Sequence, residues 1–334
     1  MTKLRQALMA LCAGLFLMLA AAPLAQVSAQ QVYQPTAQAL NEDKLLQALK
    51  EGQSVGGRVT IPDQRSANLI RPAGREWQEF RNGTISTVAM VAILGMLALL
   101  LIFFLVRGRI KVEQGFSGRT VTRFGGFDRF IHWVTATCFI ILALSGLNIT
   151  FGKTVVAPMF GEGAFGALAT WGKLAHNYLA FPFMIGVLLM FLIWVKDNIP
   201  NGNDVAWLKA GGGLIGKQGA HVPARRFNAG QKGVFWVVVI GGALMSVSGW
   251  HLLFPSSDMN EIKFQSNLHA IVGAIYIAVM IAHVYIGSLG MEGAFDAMGT
   301  GEVDVNWAQQ HHSLWLAEMG QSGAPAHGQA VPAH

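Results

Sequence analysis

Charged side chains are scarce in this chain of 334 residues, at 13%, roughly half the share usual for a soluble domain. That deficit excludes an ordinary water-soluble globular protein. Cysteine is scarcer still, with Cys12 and Cys138 the only two. Two thiols supply neither the four thiolates of a usual iron–sulfur cluster nor a Cys-rich zinc site, and they make no disulfide framework. A surplus of positive charge is present, +6 in formal terms. The Lys and Arg sit in short connectors between apolar segments rather than along one face, so they read as determinants of membrane topology and not as a nucleic-acid surface.

Five stretches contain no Asp, Glu, Lys or Arg: Asn82–Val106, Phe130–Gly152, Leu174–Val195, Gly233–Ser257 and Phe264–Met291. Each is long enough to cross a bilayer as a helix, which takes roughly 20 apolar residues. The chain is therefore expected to be an all-α, polytopic membrane protein. Ahead of the spans, Lys3 and Arg5, an apolar run from Ala7 to Ala22 and the small residues of Val27-Ser28-Ala29 have the form of a secretory signal over residues 1–29, whose removal would take Cys12 with it. Residues 30–83 are polar, contain Pro62, Pro72 and Gly56-Gly57, and are expected to be a loop-rich periplasmic segment with one short helix, Asn41–Leu49, stopped by Gly52. An additional transmembrane helix follows at 84–106, a four-helix domain at 107–290 and a cytoplasmic tail at 291–334, whose run from Gly323 to His334 has a disordered composition.

Counting crossings gives the orientation. The spans fall at about 84–106, 130–150, 174–195, 233–254 and 264–290. The two connectors expected inside, 107–129 and 196–232, hold twelve basic residues, against Lys153, Lys173 and Lys263 in the two expected outside. This obeys the positive-inside rule and predicts a multi-pass protein of the bacterial inner membrane with its C-terminus in the cytoplasm. Arg71, Arg75 and Arg81 on the outer flank of the first span are the less tidy feature.

Ligating side chains inside spans are costly and mark function. His132, His176, His251, His269 and His283 lie in or at the edges of the four later spans, and the first span has none. His269 and His283 are fourteen residues apart, about 21 Å along a helix and ~40° short of whole turns, so they share a face. Depth pairs His132 with His283 near the inner surface and His176 with His269 near the outer one. An imidazole from each of two helices at each surface is what bis-His ligation of two b haems requires, in a four-helix bundle that conducts electrons across the bilayer. Gly146 and Gly273 leave room for a flat macrocycle. Singly, His132 beside Trp133 also fits an interfacial side chain. His251 beside Trp250 is expected to be interfacial or hydrogen-bonded, and His221, His311, His312, His327 and His334 lie outside the spans with no ligation expected. A haem-free histidine-containing transporter is the rival of another class, disfavoured because the spans lack the acids and bases of ion pathways.

Several motifs resemble the cytochrome b (gamma) subunit of respiratory formate dehydrogenases. They run from about Phe127 to Leu316: Phe127-Asp128-Arg129 with His132-Trp133; Leu144-Ser145-Gly146; Asp197-Asn198-Ile199-Pro200 with Trp207; Asn228-Ala229-Gly230-Gln231-Lys232 before Phe235-Trp236; His269 with His283; and Trp307-Ala308 with His311-His312 and Trp315. The resemblance implies the same four haem ligands and a quinone site on the cytoplasmic side involving Asn228, Gly230 and Gln231. For Asn228 a helix N-cap is the competing reading. It also implies partners: an iron–sulfur (beta) subunit and a catalytic (alpha) subunit that oxidises formate at molybdenum or tungsten. This chain lacks the cysteines for that chemistry. The cytochrome b subunit of a hydrogenase or thiosulfate reductase is the alternative within the same architecture. Residues 30–106 exceed the short form of the family; the Glu42–Lys50 helix and the Arg71–Arg81 stretch, with Trp77 and Phe80, are the expected surfaces for the iron–sulfur partner.

Overall fold

The computed structural model describes residues 47–48, 50–53, 55–56, 68–70, 72–213 and 222–321. The signal segment 1–29, Cys12, the start of the expected Asn41–Leu49 helix, His221, and the run Gly323–His334 lie outside the described residues.

The chain divides into two units at Pro72. In the first, residues 47, 48, 50 and 51 are helical. Gly52 ends that turn at φ 67, a left-handed conformation that glycine adopts without a Cβ clash, and Gln53 N–H donates to the Ala48 carbonyl. A two-strand antiparallel pair, β1 (Val55–Gly56) and β2 (Asn68–Ile70), completes what is described there.

The second unit is helical. Helix α1 (Pro72–Phe80) runs through a π turn at Arg81–Ile85 into α2 (Ser86–Arg107). The first span thus belongs to a helix that begins before residue 84. Large apolar side chains stand out all along α2, from Val91 at 62% exposed to Leu105 at 73%. Such a surface on one long helix is covered by lipid or by another apolar helix, not by water. One side of α2 lies on α6 (Met259–Tyr285), where Phe103 meets Tyr285 edge to face. Trp77 of α1 donates its indole N–H to Asn267 Oδ1 at 3.2 Å, so it is tied to α6, while Phe80 is exposed.

Helix α3 (Gly126–Trp194) carries two spans. It has one non-helical residue, Gly161, at φ 85 and ψ 160, and its two arms run antiparallel from there. Thr135 faces Gly186, Ser145 faces His176, and Gly152 faces Phe165. The connector 151–173, expected as a loop, is helical on both sides of this glycine. Its Val, Ala, Met, Phe and Leu residues favour or tolerate a helix, and a single positive-φ glycine suffices to reverse the chain. Among the described residues four helices are long and apolar enough to cross a membrane: Glu76–Arg107, Gly126–Trp194, Ala229–Leu253 and Met259–Gly290. With α3 counted as two arms they match the five expected spans.

The remaining helices are capped by the residues that precede them. Asn201 starts α4 (Gly202–Lys209), Asn228 starts α5 (Ala229–Leu253), and Asp258 accepts from the Asn260 N–H at the start of α6. Beyond α6 the chain folds back instead of trailing away. Strand β4 (Glu302–Asp304) pairs antiparallel with β3 (Thr120–Thr122), with Val121 opposite Val303, and α7 (Asp296–Gly299) and α8 (Val305–Gln321) close that end. The bundle therefore has two distinct ends: a turn side at Gly161 and a sheet side at β3–β4. A buried apolar cluster that includes Phe124, Trp194, Phe227, Trp307 and Trp315 joins the sheet side to the helices above it.

Candidate cofactor site

The four histidines singled out by depth meet in the expected pairs. His132 and His283 have ring centroids 6.2 Å apart at the sheet side, and His176 and His269 have ring centroids 6.2 Å apart at the turn side. Each pair draws one ring from an arm of α3 and one from α6. Two metal–imidazole bonds of about 2.0–2.1 Å on either side of one atom, plus the distance from each bonded nitrogen to its own ring centre, come to about 6 Å. The rings therefore stand at the separation that one intervening metal ion needs.

Each turn-side ring has a serine hydroxyl at its Nδ1. Ser145 Oγ lies 2.8 Å from His176 Nδ1 and donates its only proton to the Ile141 carbonyl at 2.7 Å, with Leu142 O at 3.0 Å. Ser248 Oγ lies 2.9 Å from His269 Nδ1 and donates to the Leu244 carbonyl at 2.7 Å. A hydroxyl whose proton is committed can only accept. With each serine proton on its backbone carbonyl, each imidazole donates from Nδ1 to serine and keeps the Nε2 lone pair for a metal. Beside each serine sits a glycine: a Cβ on Gly146 would stand 3.6 Å from His176 Cε1, and one on Gly249 would stand 3.3 Å from His269 Cε1. Beside these rings lies a largely apolar, partly open cavity whose walls include both histidines with Phe139, Met184, Met245, Gly273 and Tyr276. Such a space suits a large flat apolar ligand with a few convergent polar groups.

At the sheet side the surroundings differ. His132 Nδ1 is buried without a hydrogen-bond partner. Trp133 packs edge to face on the His132 ring and donates its indole N–H to the Met298 carbonyl at 2.8 Å, which ties that end of α3 to α7. Among the described residues no three His, Cys, Asp or Glu side chains converge as a metal site. Paired nitrogens of this kind suit an iron whose other four ligands arrive with it in a porphyrin, so the residues present fit a haem at each pair.

Two of the sequence motifs pack on one another at the sheet side. Lys232 Nζ donates to the Ile199 carbonyl at 3.0 Å and pairs with Asp204 at 2.8 Å; Arg226 pairs with Asp197 at 2.9 Å; Trp236 donates to the Asn198 carbonyl. Asn228 and Gln231 form a reciprocal capping box, in which Asn228 Oδ1 accepts the Gln231 N–H and Gln231 Oε1 accepts the Asn228 N–H. The N-cap reading of Asn228 is thus realised, and Gly230 lies against the Trp207 ring. His251 forms a 2.9 Å pair with Glu261, a hydrogen-bonded role as expected.

Sequence reasoning missed three residues. Ser145 and Ser248 carry no role by sequence alone; the shared signal is a Ser-Gly dipeptide in each of two spans, at 145–146 and 248–249. The third is His312, which is fully buried and donates from Nδ1 to the Arg225 carbonyl at 2.8 Å. Burial and the nearby Arg123 cation hold its pKa well below the ordinary histidine value.

Comparison with known proteins agrees with this geometry. Residues 123–301 match the family described as prokaryotic cytochrome b561. The chain is 30% identical over 205 residues to the formate dehydrogenase cytochrome b556(fdo) subunit of Escherichia coli, which spans 60% of this chain and 93% of that protein. It is 27% identical over 214 residues to the nitrate-inducible formate dehydrogenase cytochrome b556(Fdn) subunit of the same organism, 62% of this chain and 95% of the relative. A formate dehydrogenase cytochrome b556 subunit of Haemophilus influenzae is 23% identical over 199 residues, 57% and 79% of the two chains. The matched region contains all four paired histidines and both serines, and the chain belongs to the prokaryotic cytochrome b561 family.

Proposed function

We propose that this chain is the membrane-anchoring cytochrome b subunit of a formate dehydrogenase, holding two b haems and passing electrons from a periplasmic iron–sulfur subunit to quinone. The observation that carries the reading is the pair of 6.2 Å histidine facings, one at each end of a bundle with helices long enough to span a bilayer. The relatives' names supply the donor complex. On this reading His176 and His269 hold one haem near the periplasm, and His132 and His283 hold the other near the cytoplasm. A bound haem supplies one-electron redox chemistry at each site.

The chain's own residues do the rest. The serines orient the turn-side imidazoles, and the apolar walls line the space beside them. Asn228, Gly230 and Gln231 are the proposed quinone contacts on the cytoplasmic side, with the capping box fixing that loop. Residues 42–50 and, separately, the Arg71–Arg81 stretch with exposed Phe80 remain proposed surfaces for the iron–sulfur subunit. Formate oxidation belongs to a separate molybdenum or tungsten subunit.

The test is a dithionite-reduced minus oxidised optical spectrum of the purified chain with haem quantified per polypeptide. Two low-spin b haems are expected. A folded protein without haem overturns the reading. Formate-dependent quinone reduction co-purifying with the chain distinguishes this donor from a hydrogenase or a thiosulfate reductase.

A further inference from the structure

The two histidine pairs are alike in ring separation and unlike in what backs them. At the turn side each Nδ1 proton goes to a serine hydroxyl, Ser145 for His176 and Ser248 for His269. At the sheet side His132 Nδ1 has no partner. The helix register shows that this difference is built into the sequence. The antiparallel arms of α3 that set Ser145 against His176 and Thr135 against Gly186 bring Leu189 level with His132. The register of α5 against α6 that sets Ser248 against His269, Met245 against Gly273 and Gly241 against Tyr276 brings Val234 level with His283. Where the turn side has two hydroxyls, the sheet side has two aliphatic side chains.

We propose that Ser145 and Ser248 are positioning residues that give the turn-side haem a lower reduction potential than the sheet-side haem, so that the protein itself directs electrons from the turn side to the sheet side. This rests on the di-haem reading above. A hydrogen bond accepted from Nδ1–H pushes electron density onto the imidazole and raises its basicity as a ligand. A more basic ligand favours the oxidised, more highly charged iron over the reduced one. With two histidines at both ends, axial-ligand identity contributes no difference. Hydrogen bonding, burial and distortion of the macrocycle are the levers left, and of these the structure shows a difference in hydrogen bonding. Two such bonds converge on one site, each held in the donating sense by a serine proton locked onto a backbone carbonyl. The same bonds fix ring orientation, so their loss also loosens the site.

The experiment is an optical redox titration of the full chain purified with its haems, comparing wild type with Ser145→Ala, Ser248→Ala and the double variant. The turn-side haem is identified as the one missing from His176→Ala. The expected result is a rise in the midpoint of that haem in each single variant and a larger rise in the double, with the other midpoint unmoved. Ser145→Thr and Ser248→Thr keep the hydroxyl and should titrate like wild type; if an Ala variant sheds the haem, retention of haem and midpoint by its Thr counterpart supports the assignment, and a Thr variant that fails as Ala does overturns it. Two haems bound in the Ala variants with unchanged midpoints also overturn it and leave the di-haem reading standing. A wild-type chain with no haem removes the di-haem reading, and this inference with it.

Discussion

At the residue scale, the paired imidazoles impose a sharp expectation. His176→Ala or His269→Ala should remove one haem of two, and His132→Ala or His283→Ala the other, read as haem per chain from the reduced spectrum. Loss of the same haem from His132→Ala and His176→Ala would break the pairing. Gly186 offers a second test, of packing rather than ligation. A Cβ there would come within 2.0 Å of Thr135 Oγ1, and the Thr135 hydroxyl is buried and committed to the Ile131 carbonyl. Gly186→Ala must therefore spread the arms of α3 or turn Thr135 off its bond, at a cost of about 1–3 kcal/mol for an overpacked core. Combining it with Thr135→Ala should recover most of the loss, since the two sites share one contact and their effects cannot add. Thermal unfolding in detergent measures both, and additive losses would show that the arms do not meet as described.

Histidines were legible in the sequence because a polar ring in a charge-free run stands out, and because their depths follow from counting crossings. Their partners were not, since a serine in a span is common and its role depends on what another helix places opposite. The Ser-Gly pairs at 145–146 and 248–249 carry the signal, but only the register of α3 and α5–α6 gives it meaning.

At the scale of elements, the least legible parts were the hairpin connector and the region after the last span. Charge counting locates spans but says nothing of whether a helix stops at the membrane surface, so residues 151–173 looked like a loop. Strand β4 and helix α8 were hidden for a different reason: their partners, β3 and the Arg225 carbonyl, lie far away in sequence. Arg123 lies at the centre of this closure. Its guanidinium is buried, stands over the rings of Phe124, Trp307 and Trp315, and donates to the Arg226 carbonyl at 2.7 Å. Burial, with the nearby Arg226 cation, pulls its pKa down to about 9, so it remains charged at neutral pH. His312 beside it is neutral for the same reasons. Its folded pKa lies below the ordinary value of 6.5, so the unfolded chain binds the proton first and acid favours detachment. Stability of the α8 closure should be complete above pH 6.5 and fall as pH drops from there toward the folded pKa, by at most about 1.4 kcal/mol per pH unit for one proton. Proteolysis of α8 between pH 7.5 and 5 reports it. In His312→Gln, which keeps an N–H donor without the titration, the acid sensitivity in this window should shrink; an unchanged profile would assign it elsewhere.

At the scale of the whole molecule, the two ends of the bundle differ in charge as well as in architecture. The sheet side gathers Arg119, Arg123, Arg129, Arg225 and Arg226, and the basic residues at the turn of α3 are Lys153 and Lys173, with Lys263 at the start of α6 and Arg75 and Arg81 on the flank of the first span. On positive-inside logic we propose that β3–β4 and α8 are cytoplasmic and Gly161 periplasmic. The direction of electron flow proposed above depends on that orientation, because the serine-backed pair must face the donor. Glu162 and Gln309 are exposed at opposite ends, and Cys138 is buried, so in a Cys12→Ser background single cysteines at the two positions report sidedness. Glu162→Cys should react with a membrane-impermeant maleimide in intact spheroplasts, and Gln309→Cys only after the membrane is opened. The reverse pattern would put the serine-backed pair on the cytoplasmic side, and a lower potential there would drive electrons outward, against a quinone site at the Asn228–Gln231 loop.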